Sequence, residues 1–142
     1  MVQIITKKSL LVLFCIGFAF NLVWELSQIQ FFTNLSSSGY LLAVIYCSIA
    51  SIIDGLTVVS IFLIVERIIG RGNREYYLVA AFLGAAAAVV FELAALKIGL
   101  WSYDTAMPVI PLIGIGMLPV VQLLILVPVC IYATNRILGR TN

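Results

Sequence analysis

The chain has 142 residues, of which 63% are hydrophobic and only 10% charged. A mean hydropathy of +1.19 excludes an ordinary water-soluble domain, which needs a far larger charged surface. The net charge of +2 carries no nucleic-acid signal, because the few basic residues stand at the ends of apolar segments.

In chain order, Lys7 and Lys8 precede a first apolar run, Ser9 to Phe32, long enough to cross a bilayer. Its length, its polar residues and the lack of a small-x-small cleavage site make it a retained helix, not a signal peptide. Within it Gly17, Asn21, Glu25 and Gln28 follow i, i+4, i+8, i+11 spacing and share one helix face. Thr33 to Gly39 is a short polar connection, in which Asn34-Leu35-Ser36 matches a glycosylation sequon. The second predicted helix runs from about Tyr40 to Val65 and places Ser48, Ser51 and Asp54 on one side, with Gly55 beside them. Glu66, Arg67, Gly70, Arg71, Gly72, Arg74 and Glu75 form a charged turn. A third helix, Tyr76 to Ile98, holds Gly84 and the run Ala85 to Ala88, small residues that admit a close helix backbone. Glu92 follows one turn later.

Leu100 to Gly116 is apolar yet rich in helix breakers, with Trp101, Tyr103 and Asp104, then Pro108, Pro111, Gly114 and Gly116. We read it as an outer loop folding back onto the bundle. A fourth helix from about Ile115 to Ile137 carries Gln122 and is interrupted by Pro119 and Pro128.

The expected architecture is therefore all-α: one transmembrane domain over 1–142, with spans at about 9–32, 40–65, 76–98 and 115–137 and an outer loop at 100–116. Lys7, Lys8, Arg67, Arg71, Arg74, Arg136 and Arg140 then fall on one side, against Lys97 on the other. The positive-inside rule makes both termini cytoplasmic, in a membrane of the bacterial inner type. Val23-Trp24-Glu25-Leu26 also recurs as Val90-Phe91-Glu92-Leu93, and Asp54 stands in nearly the same relation to Gln122, a pattern of two parallel halves.

An ionisable group within a span costs at least about 2.5 kcal/mol on insertion scales, so it turns toward protein and not toward lipid. Glu25, Asp54, Glu92 and Gln122 are thus expected in one interior cluster, with Asn21 and Gln28 hydrogen-bonding around it. Such a cluster serves either chemistry or a structural bridge between helices, and both readings stand at this point. Trp101 and Tyr103 likewise read as interfacial anchors or as the lid of a pocket. Lys97 either snorkels outward or pairs with Glu92 or Asp104. The chain has no histidine, which removes the commonest general base and metal ligand. Cys15, Cys47 and Cys130 lie in apolar runs in no CxxC pairing and read as small core hydrophobes, with neither a disulfide nor a metal.

The stretch Asn21-Leu22-Val23-Trp24-Glu25 resembles the Asn-x-x-Trp-Glu stretch of membrane-bound terpene cyclases of the meroterpenoid type. Glu92, then Gly99, Trp101 and Tyr103, then the Pro-rich segment, is similar to the membrane carotenoid hydratases and lycopene cyclases. The pattern as a whole also looks like small multi-pass membrane proteins of bacteria. The enzyme resemblances imply Glu25 as an acid, with Glu92 or Asp54 as the second carboxyl, acting on an isoprenoid dissolved in the bilayer. They also imply a substrate pocket built from Asn21, Trp24, Gln28, Phe91, Trp101, Tyr103 and Gln122, with aromatic faces that stabilise a carbocation. No cofactor or metal is expected. Two departures stand out. The terpene cyclases have more spans, which implies a homodimer here, and Gln122 stands where the carotenoid enzymes carry a carboxyl pair. The same residues also fit a small transporter or proton or ion pathway, or a scaffold whose polar network locks helices together.

Overall fold

The computed structural model describes residues 5–70 and 74–139, and of Arg74 only its place in a helix. Arg71, Gly72, Asn73 and Arg140 lie outside the described residues. Four long helices, α1 (Lys7–Gln28), α3 (Tyr40–Ile68), α4 (Arg74–Lys97) and α5 (Met117–Ile137), run up and down, with a one-and-a-half-turn helix α2 (Thr33–Ser37) between the first two. All four are long and apolar enough to cross a membrane, as in a multi-pass membrane protein.

Helices suit this sequence because lipid offers no partner to an unpaired backbone group. Side-chain hydroxyls within the spans are satisfied in the same way. Ser48, Ser51, Thr57, Ser60 and Thr134 each donate to the carbonyl four residues earlier. Thr6 caps α1 through a reciprocal pair of bonds with Ser9, so this helix starts two residues before Ser9. At its other end α1 stops at Gln28, and a 3-10 turn over Ile29–Phe31 tightens the chain before Phe32. Lys97 ends α4 with Gly99 at φ 71°, where the Leu100 N–H returns to the Ala95 carbonyl at 2.9 Å. Pro119 falls in the first turn of α5, where its missing N–H costs nothing, so only Pro128 interrupts the helix interior.

The helices follow one another around the bundle in the order α3, α1, α5, α4. α1 packs most closely on α3, α4 on α5, and the remaining side between α3 and α4 is looser. Glycines set the two tight seams. A Cβ on Gly17 would lie 3.3 Å from the Gly55 Cα, and one on Gly84 would run into the Leu123 carbonyl oxygen.

The interior divides in two along its length. The half holding the start of α1, the end of α3, the start of α4 and the end of α5 is a packed apolar core, including Leu13, Val58, Phe62, Val127 and Ile131. The described basic residues Lys7, Lys8, Arg67 and Arg136 stand beyond that end. The opposite half, under the 100–116 loop, is polar inside and open.

That loop is tied down. The Thr33 N–H donates to the Ser102 carbonyl at 3.0 Å and the Asp104 N–H to the Phe31 carbonyl at 2.9 Å, bracketing an antiparallel bridge between Phe32 and Tyr103. The Asn34 amide grips the same segment, donating to the Leu100 carbonyl at 3.0 Å and accepting from the Ser102 N–H at 3.3 Å. A second bridge joins Val109 to Gly116, with Met107 and Ile115 buried beneath and Leu112 97% exposed at the tip. Asp104 accepts from the Ala106 N–H at 2.9 Å and turns the chain. Lys97 is exposed, and no ion pair joins it to Glu92 or Asp104 among the described residues.

Candidate functional site

Gln122, 1% exposed on α5, is the hub of the polar interior. Its Nε2 lies 2.9 Å from Asn21 Oδ1, 3.0 Å from Glu25 Oε1 and 3.0 Å from Asp54 Oδ2. Its Oε1 accepts from Gln28 Nε2 at 3.3 Å. The i, i+4, i+7 spacing on α1 stacks Asn21, Glu25 and Gln28 toward α5, while α3 supplies Asp54 from the facing side. The primary amide has two hydrogens to share among three oxygens. Gln28 also hydrogen-bonds Glu25, so the three oxygens do not depend on Gln122 alone.

Glu92, on α4, is 4% exposed and faces the loop. Its Oε2 accepts from the Tyr103 hydroxyl and from Trp101 Nε1, the latter at 3.4 Å. Phe32 sets these two rings, meeting Trp101 edge-on with centroids 6.0 Å apart and Tyr103 at 5.6 Å. Of the two readings open for Trp101 and Tyr103, the geometry has both side chains turned inward as a cap. Burial, and next the bond to Glu92, raise the Tyr103 phenol above its ordinary range, so it stays a donor at any physiological pH.

Between these two groups lies a cavity of about 360 Å³. Glu25, Asp54, Glu92, Gln28 and Gln122 all stand on its wall, and Phe32 and Trp101 close the loop end. The rest is mainly apolar, and none of the described residues lining it is basic. It lies at the loose seam between α3 and α4, where Tyr46, Ile49 and Ile53 face Phe91 and Ile98. These five are exposed at the outer edge of the cavity, on the flank that meets lipid in a membrane.

The structure thus brings together Glu25, Asp54, Glu92 and Gln122, with Gln28, Phe91 and Trp101 on the same wall. Asn21 is fully buried behind the wall and reaches it through Gln122, and Tyr103 reaches it through Glu92. Trp24 does not join them. It is half-buried and lies off the wall, because the residue next to Glu25 on an α-helix points about 100° away. Residues missed by sequence reasoning include Tyr46, Cys47, Ala50, Ile53 and Pro119, and Asn34, whose sequon match hid a loop clamp. Only Asn34 carried a usable signal, being polar and close to a helix end. Cys47 and Cys130 are buried free thiols, and Cys15 is exposed on the flank of α1. Comparison of the chain with protein-family models, with curated proteins and with solved structures finds no match.

Proposed function

We propose that the protein is a membrane-embedded, cofactor-independent acid catalyst that cyclises or hydrates an isoprenoid dissolved in the bilayer. One observation carries this reading: carboxyls from three helices face one largely apolar cavity that, among the described residues, no basic side chain lines. A carboxyl desolvated in such a place holds a transferable proton, and an apolar wall holds an alkene. In the proposed reaction the Glu25 carboxyl gives its proton to an alkene carbon or an epoxide oxygen. The resulting cation is quenched by a second double bond or by water. A proton then leaves the product for a second carboxylate, Asp54 or Glu92, and its return to Glu25 balances the cycle. Phe91 and Trp101 offer ring faces to the transient positive charge. The substrate enters sideways from the lipid between α3 and α4.

A proton or ion pathway has less support. In the half away from the loop Leu13, Val58, Phe62, Val127 and Ile131 pack closely, and the buried polar side chains there, Ser9, Thr134 and Asn135, are uncharged. A purely structural network has no use for a cavity of this size, which forfeits packing contacts. In this reading the basic end faces the cytoplasm and the 100–116 loop faces outward. Extraction of lipids and pigments from cells with and without the protein tests the proposal. A changed isoprenoid product is expected, and identical extracts from well-expressing cells would refute it.

A further inference from the structure

The amide network has a fixed direction and ends on an unused acceptor. Asn21 Nδ2 donates to the Gly17 carbonyl at 2.8 Å, an acceptor only, so Asn21 turns its oxygen to α5. Gln122 must then present its NH2 to that oxygen and to the two carboxyls, leaving its own oxygen toward Gln28. Gln28 answers with its NH2. Flipping any one of the three amides would set oxygen against oxygen or strip the carboxyls of their donor. The chain therefore terminates at Gln28 Oε1, which is buried and without a partner among the described residues, on a residue 3% exposed that lines the cavity. Buried acceptors are rarely left unpaired, because desolvation is not repaid.

The same wall is short of donors elsewhere. Gln122 divides two hydrogens among three oxygens, with Gln28 a second donor to Glu25, and among the described residues no cation lines the cavity. We propose that the site binds a lipid whose head donates a hydrogen bond and carries no negative charge, a hydroxyl or an ammonium, with Gln28 Oε1 as its acceptor and the tail lying between α3 and α4. Gln28 is then the residue that selects the head group. Anionic heads, such as a diphosphate or a fatty-acid carboxylate, would meet carboxyls and a carbonyl oxygen with no cation to offset them.

This inference deepens the proposed function by naming the head group, but binding does not need turnover, so the two can fail separately. The test is melting of the purified protein in lipid nanodiscs with farnesol, farnesylamine, farnesyl methyl ether or farnesyl diphosphate, with the lipid recovered and identified by mass spectrometry. Farnesol, farnesylamine or both should raise the melting temperature, telling hydroxyl from ammonium by which is tighter. The ether and the diphosphate should bind at least about tenfold more weakly, as expected of a site whose buried acceptor is left unpaired. Gln28→Met keeps the length of the side chain without the acceptor. It should bind the favoured head and the ether alike. Equal binding of farnesol, amine and ether by the wild type would overturn the inference, as would discrimination that persists in Gln28→Met. Tightest binding of the diphosphate would overturn it too, and so would melting that ignores every lipid but rises with protein-to-lipid ratio, the mark of a second copy in the opening. Farnesol bound and recovered unchanged would support the head-group assignment while giving no turnover of this alcohol.

Discussion

Gln122 shows how much one uncharged side chain can hold. Replacing it with leucine would leave Asn21 Oδ1 and Gln28 Nε2 without their Gln122 partner and would take a donor from both Glu25 and Asp54. We expect Gln122→Leu to lower stability in detergent by about 1–3 kcal/mol. A melting temperature equal to wild type would show that the network is not formed. Tyr103 allows a titration test. Its phenol is raised by burial and by its bond to Glu92, so it should remain protonated well past the value of about 10 seen in model peptides. Because the folded state holds this proton more tightly than the unfolded chain, the stabilisation is complete below about pH 10 and is lost as pH rises toward the folded value. The difference in phenolate absorbance between wild type and Tyr103→Phe reads it, and a transition at the ordinary position would contradict the Glu92 contact.

At the scale of the helix, glycine decides which pairs close and which stay apart. Gly84 meets the Leu123 carbonyl so closely that a Cβ cannot fit without moving α4 from α5. Gly84→Ala should therefore cost about 1–3 kcal/mol through overpacking. Ala86→Val, on the exposed side of the same helix, should be nearly silent; equal effects in detergent melts would place the α4–α5 seam elsewhere. The neighbours of each helix were the part least legible in the sequence. In a soluble helix an apolar stripe marks the buried face, but in lipid both faces are apolar, so Val58 in the core and Ile53 at the cavity rim look alike. Glu25, Asp54, Glu92 and Gln122 were legible for the opposite reason. Each is costly in a span, and few arrangements other than a shared interior site relieve several at once. That Gln122 would be the common donor, and that Glu92 would turn to the loop aromatics, depended on three-dimensional neighbours that spacing along one helix cannot express. The break from helix over this loop was legible in its prolines, while the Asn34 clamp that ties it to α2 was masked by a glycosylation pattern.

For the molecule as a whole, four helices long and apolar enough to span put the start of α1 and the end of α5 at one end of the bundle and the 33–39 and 100–116 segments at the other. In a background without Cys15, Cys47 and Cys130, single cysteines at Ser37 and Glu75 should react with an impermeant maleimide from opposite sides. Labelling of both from the same side would break the topology. The division of the interior into a packed half and an open half is what ties this topology to the proposed chemistry. In the proposed account it gives a lipid a way in from the side and ends it against carboxyls. The most direct test of that account is the isoprenoid profile of cells making Glu25→Gln beside cells making the wild type. The amide keeps the size of the side chain and its capacity to accept from Gln122 but has no acidic proton to transfer. Interhelical hydrogen bonds average only about 0.6 kcal/mol, so folding should survive. The account predicts a folded variant, melting within a few degrees of wild type, whose product is lost. A Glu25→Gln protein that yields the full wild-type product would contradict it.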